Sequence, residues 1–169
     1  MNYLWYNNFM NLVLDIDDFL IYSANLDEEL IGDFETFFYD NEIIVCRPYL
    51  KSFLKYCFSR YQIYFSTRMP KKRCDFILKN ILDANQKPLR VYTQEDCYEN
   101  IPPYGSKELR KQAIEDQVIW IDDMPQYIDL SLNIRQEIIK AEEFDGDIVD
   151  SYLIDLIKLL ETKRKALLK

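Results

Sequence analysis

The chain has no histidine and only three glycines among its 169 residues. The first absence excludes imidazole as a metal ligand and any Ser–His or Cys–His catalytic pair. The second leaves too few glycines for a dinucleotide fingerprint or a glycine-rich phosphate loop. Acid–base chemistry therefore rests with carboxylates, lysine, tyrosine or cysteine. The four cysteines, Cys46, Cys57, Cys74 and Cys97, have no CxxC spacing, so the common zinc and dithiol motifs are excluded and reduced thiols are expected. No apolar run reaches the roughly 18 residues of a membrane span. The first ten residues carry neither a basic segment nor a small-residue cleavage site, which is not a secretory signal. A formal charge of -8 lacks the basic footprint that nucleic acid or an anionic membrane requires. Neither is expected as a partner, and a cytoplasmic, reducing compartment is the expected setting.

What is present is a chain of one-domain size, expected to form a single unit over residues 1–169, with short apolar runs that stop at acids. Leu12-Val13-Leu14 ends in Asp15-Ile16-Asp17-Asp18, and Val118-Ile119-Trp120-Ile121 ends in Asp122-Asp123. Such runs read as buried strands. Acids at a strand end serve either solubility or chemistry; Asp15 and Asp17 alternate, so on a continuing strand they would share a face. Residues 21–33 read as a loop or a short helical turn. Phe34–Tyr39 and Glu42–Cys46 read as a hairpin turning at Asp40-Asn41. Pro48 suits a position just inside a helix, whose face is Leu50, Phe53, Leu54, Cys57 and Phe58. Tyr61–Phe65 reads as a strand that stops at Ser66-Thr67-Arg68, hydroxyls that also suit a helix cap. Lys71–Leu82 carries Cys74, Ile77 and Leu78 on one face and its lysines elsewhere. A strand around Leu89–Thr93, helix signals resuming near Ser106, a strand within 133–140 and an amphipathic helix over 150–168 complete the pattern. Strands alternating with helices predict an α/β fold with a mainly parallel sheet. Its acid-tipped strands would then meet at the edge where open α/β sheets bind ligands.

Four motifs in the right order, together with one Arg-Pro pair, carry a resemblance. Leu12 to Asp18 is similar to a strand leading into DxDx(T/V), with Phe19 where Thr or Val is usual. Ile63 to Ser66 is similar to a strand ending in Thr or Ser, and Arg47-Pro48 to an Arg-Pro before it. Tyr104 to Leu109 is similar to Tyr-x-Lys-Asp-Leu with one extra residue, and Ile119 to Pro125 to a strand ending in Asp-Asp-x-Pro. The chain thereby resembles the haloacid dehalogenase (HAD) superfamily, in the branch of the small C-terminal-domain phosphatases and the TFIIF-associated phosphatase. The resemblance implies a HAD-like Rossmannoid three-layer sandwich with a small β-hairpin insertion and no large cap domain. It implies Asp15 as a nucleophile that forms an aspartyl-phosphate, and Asp17 as general acid and then base. Ser66 would be the hydroxyl on a phosphoryl oxygen, with Thr67 as the alternative, and Lys107 the neutralising cation, with Lys111 as the alternative. Mg2+ would be held by Asp15, the backbone carbonyl of Asp17 and Asp123, with Asp122 close by.

Read this way, the chain is a Mg2+-dependent phosphomonoester hydrolase acting on a phosphorylated protein or peptide, phosphotyrosine or phosphoserine/threonine, because a capless site admits a side chain of a macromolecule. The alternatives are a catalytically inactive scaffold of the same fold, suggested by Phe19, and a small-metabolite phosphatase. Phe19 would either narrow the pocket or repack the loop below the nucleophile. A monomer is expected. The Ile-, Asn-, Tyr- and Lys-rich composition points to an AT-rich coding sequence, and with it to a parasite or intracellular bacterium that would place the protein in a host cytosol.

Overall fold

The computed structural model describes residues 10–30, 32–96, 118–127 and 136–167. In chain order these hold β1 (Met10–Leu14), β2 (Ile21–Asn25), β3 (Thr36–Tyr39), β4 (Glu42–Cys46), α1 (Leu50–Arg60), β5 (Tyr61–Ser66), α2 (Lys71–Ile81), β6 (Arg90–Tyr92), β7 (Val118–Asp122), β8 (Gln136–Lys140) and α3 (Tyr152–Leu167). Five strands form one sheet in the order β6-β5-β1-β7-β8, and every pairing in it is parallel. This is the expected α/β architecture, with β1 at its centre.

A central parallel strand is covered on both faces and must be apolar along its length, as Leu12-Val13-Leu14 is. Leu12 and Leu14 join Ile63, Phe65, Ile119 and Ile121 and the buried faces of α1, α2 and α3 in the main core. The alternate residues Val13, Tyr64 and Trp120 form a second cluster on the opposite face. The helix expected near Ser106 lies outside the described residues, as does the start of the strand expected from Asn133.

The insertion after β1 is larger than the expected hairpin. β3 and β4 pair across Asp40-Asn41 as the turn chemistry required, with Asp40 at φ 50°. Residues 21–25, expected as loop or helical turn, form β2 and pair with β4 to complete a three-stranded antiparallel sheet in the order β2-β4-β3. The pairing of Ile21 with Cys46 is made across more than twenty residues of chain, so no local pattern announces it. This small sheet docks on α2, where Phe37 and Tyr39 pack against the ring of Phe76.

Pro48 also differs from expectation. Tyr49, at φ 67°, is the N-cap of α1, so Pro48 precedes the helix instead of opening it. Cys46, Cys57 and Cys74 are buried free thiols. Burial pushes Cys46 and Cys74 up to about 12 and Cys57 well above its usual value, which makes them inert. Among the described residues no helix is long and apolar enough to cross a membrane.

Phe19 belongs to this core. It is fully buried, and its ring meets Phe53 of α1 edge-on, with centroids 6.1 Å apart. Phe19→Val is therefore expected to lower stability by about 2 kcal/mol through the cavity it leaves, with the fold retained. Chemical denaturation at constant slope measures the loss.

Candidate active site

At the carboxyl end of β1 the chain leaves the sheet in a tight turn. Asp15 still follows the strand, donating its N–H to Ile121 O at 3.0 Å, whereas Leu20 and Ile21 both donate back to Ile16 O. Asp18 makes the turn in the left-handed region, φ 53°, a conformation that aspartate tolerates better than most residues. The neighbouring strand β7 ends beside it, because Leu14 pairs with Ile121. Two acid-tipped parallel strands therefore place their carboxylates together: oxygen atoms of Asp15, Asp122 and Asp123 lie within 4.8 Å of one another. Asp122 is fully buried, and its Oδ1 accepts the Met124 N–H at 2.8 Å.

These residues border a cavity of about 560 Å³ lined by Asp15, Asp17, Asp18, Ser23, Ala24, Asn25, Glu42, Thr67, Arg68, Met69, Pro70, Arg73, Asp123 and Met124. Five carboxylates in that wall face two guanidinium groups. The imbalance registers on Asp18, whose carboxyl is raised to about 6, by burial first and then by the charges of Asp17, Asp123 and Glu143, with Arg73 opposing. Crowded carboxylates with oxygen-only donors suit a hard divalent cation such as Mg2+. The donor set present therefore fits the metal that the resemblance implied.

Asp17 stands apart from the carboxylate trio. Its Oδ1 takes a 2.9 Å hydrogen bond from Arg73 Nη1, and its Oδ2 lies 3.5 Å from Thr67 Oγ1. That leaves its backbone carbonyl as its route to a metal. Ser66 ends β5 and is buried; it is not among the lining residues, while Thr67, the next residue, is. Thr67 is fixed by its own N–H to Tyr92 O and by the Met69 N–H to its Oγ1. Arg68 reaches the cavity wall, with Nη2 3.3 Å from Met124 Sδ. Lys107 and Lys111 lie outside the described residues.

The model of the NIF family, NLI interacting factor-like phosphatase, matches residues 10–167. The chain belongs to that family. Among solved structures it is similar to a variant of the fission yeast RNA polymerase II CTD phosphatase Fcp1 bound to beryllium fluoride, at 20% identity and a TM-score of 0.58, over 92% of this chain and 50% of that one. It is similar also to a second structure of Fcp1, an essential RNA polymerase II CTD phosphatase, at 19% identity and a TM-score of 0.59, over 95% of this chain and 54% of that one. This NIF-family chain thus has the HAD-like α/β fold and spans about half the length of the solved chains it matches. No curated protein matches it.

Sequence reasoning did not single out Arg73, Ser23 or Glu42. Arg73 lies in a lysine-rich first helical turn that reads as a solvated face. Ser23 and Glu42 belong to the insertion, and nothing local ties an insertion to a site. The one available signal was position: Arg73 opens the helix that follows the β5 strand end, and helix starts at that end of an open sheet face the ligand edge.

Proposed function

We propose that this NIF-family chain is a Mg2+-dependent phosphomonoester hydrolase acting on a phosphorylated protein or peptide through an aspartyl-phosphate on Asp15. The observation that carries the reading is the convergence of Asp15, Asp122 and Asp123 from two adjacent strand ends, with Asp17 held separately beside them. One carboxylate group suits a cation and a nucleophile; the other suits proton transfer.

In this reading Asp15 attacks phosphorus while Asp17 gives a proton to the leaving oxygen, and Asp17 then takes a proton from the water that releases phosphate. Thr67, which faces the cavity, holds a phosphoryl oxygen in preference to Ser66, and Lys107 supplies a further positive charge. Asp15, Asp122, Asp123 and the Asp17 carbonyl would hold Mg2+, which would supply positive charge to offset that of the phosphoryl group. The insertion is too small to close over the cavity as a cap, which favours a phosphorylated side chain on a macromolecule. The Fcp1 structures support the same substrate class by likeness, since Fcp1 is a phosphatase of the RNA polymerase II CTD. Phe19, buried in the core, gives no support to an inactive scaffold.

The test is hydrolysis of an aryl phosphate and a panel of phosphotyrosine and phosphoserine/threonine peptides, with Mg2+ and with chelator. Activity that needs Mg2+ and favours peptides is expected; none on any ester, or equal rates in chelator, sinks the reading. Asp123→Asn is expected to raise the half-saturating Mg2+ concentration by at least about tenfold, the scale on which even supporting residues act on metal affinity. A Mg2+ titration of rate measures it.

A further inference from the structure

Arg73 is the charged group that joins the insertion to the site. Its Nη1 donates to Asp17 Oδ1 at 2.9 Å, and its Nη2 donates to Ser23 Oγ of β2 at 2.5 Å and to Glu42 Oε2 of β4 at 2.9 Å. The side chain is 16% exposed, and Nε is buried with no hydrogen-bond partner among the described residues, so among these the two terminal nitrogens fix the guanidinium. Its charge is already divided between two carboxylates. An incoming anion would have to displace one of them, which makes a substrate-binding role the weaker choice. A role toward Asp17 fits better, because a carboxyl can carry its proton on either oxygen and Arg73 engages only one.

We propose that Arg73 is a positioning residue for Asp17: by holding Oδ1 it assigns the transferable proton to Oδ2, the oxygen on the side of Thr67. The inference rests on the reading of Asp17 as the acid–base group. In the first half-reaction the Oδ2 proton passes to the leaving oxygen as its bond to phosphorus breaks and the bond from Asp15 forms. In the second, water adds to phosphorus, one of its protons goes to Asp17 Oδ2, and the Asp15–phosphorus bond breaks to release phosphate. Ser23 and Glu42 keep the guanidinium in place from the other side, so the insertion acts on proton transfer without touching the reacting atoms.

Leaving-group dependence separates this role from a merely structural one. Wild type, Arg73→Met and Arg73→Lys are compared with Mg2+ on p-nitrophenyl phosphate, whose leaving group needs little protonation, and on phenyl phosphate, whose phenoxide is about as basic as a tyrosinate. In Arg73→Met, kcat for phenyl phosphate is expected to fall at least about tenfold further than kcat for the nitrophenyl ester, within the range that general acids contribute. Arg73→Lys, with a single ammonium nitrogen in place of the planar fork, is expected to fall between Arg73→Met and wild type. A parallel fall on both esters, or no fall, in whichever variant retains a cooperative melt overturns the proposal. If wild type hydrolyses phosphopeptides alone, a phosphotyrosine and a phosphoserine peptide replace the two esters, the alkoxide of serine being the more basic leaving group; if it hydrolyses no ester and no phosphopeptide, the proposed function fails first and takes this inference with it.

Discussion

Asp15→Asn is expected to lower kcat on any phosphate ester by on the order of 10³-fold or more while leaving the protein folded. The amide is nearly isosteric with the carboxylate, so the strand end keeps its shape and the backbone bond from Asp15 to Ile121. What changes is nucleophilicity: an amide oxygen forms no stable phosphate anhydride. The substitution also removes one of three charges gathered within 4.8 Å, which relieves repulsion between like charges when no metal is bound. Melting without Mg2+ is therefore expected at the wild-type temperature or above it, and added Mg2+ should raise that temperature less than in wild type. Rate and melting measured on one preparation decide the matter. A variant that keeps more than about a tenth of the activity would remove Asp15 from the chemistry, and one that is inactive because it is unfolded would contradict the structural half of the expectation.

The largest stability effect is expected at Arg47. This residue is 2% exposed. Its Nε and Nη2 lie 2.7 and 2.6 Å from Asp150 Oδ2, and its Nη1 donates to Phe19 O at 3.0 Å and to Glu142 O at 2.7 Å. The guanidinium also lies over the rings of Tyr152 and Phe144, 4.6 and 5.3 Å from their centroids. Arg47→Ala leaves a carboxylate and two carbonyls without their donor, and breaking a buried pair from one side costs about 3–5 kcal/mol. Arg47→Lys keeps the charge but loses the planar fork and the stacking, with an expected loss of about 2 kcal/mol. Denaturant midpoints at constant slope measure both. A shift below about 1 kcal/mol for the alanine variant would show that the turn after β1 is held by other means. Since a domain is stable by only about 5–15 kcal/mol, the alanine variant is also expected to be recovered in poor yield. The carbonyl of Phe19 belongs to the turn that carries Asp17 and Asp18, so residual activity should fall with stability.

Much of this was legible because strand ends report themselves. β1 and β7 carry apolar runs, residues 12–14 and 118–121, that stop at acids, and their adjacency in the sheet turned two weak signals into one site. The hairpin of β3 and β4 was legible for a similar reason: β-forming residues flank Asp40-Asn41, and Asp40 takes the positive φ the turn needs. β2 was not, since Ile-Tyr-Ser-Ala-Asn has no strong strand pattern and gains its hydrogen bonds from β4. Arg47 appeared in the sequence only as half of an Arg-Pro pair; that its side chain would be buried depends on Asp150, about a hundred residues away. Arg73 was hidden in the same way. Its partners Asp17, Ser23 and Glu42 lie on other elements, and a cation in a lysine-rich turn resembles ordinary surface until those elements are placed.

The parallel sheet has a further consequence, for the order in which the protein forms. Among the strands of this sheet β1 leaves the ribosome first, yet its two neighbours are β5 and β7, and the second lies more than a hundred residues downstream. Contacts of such sequence separation require long loops to close before they are rewarded, and folding is slowed accordingly. The carboxylate trio cannot exist in a chain that has emerged only as far as β6. A partly folded nascent chain of this protein therefore holds Asp15 without Asp122 and Asp123 beside it, and under the proposed function activity should arrive only after β7 has docked.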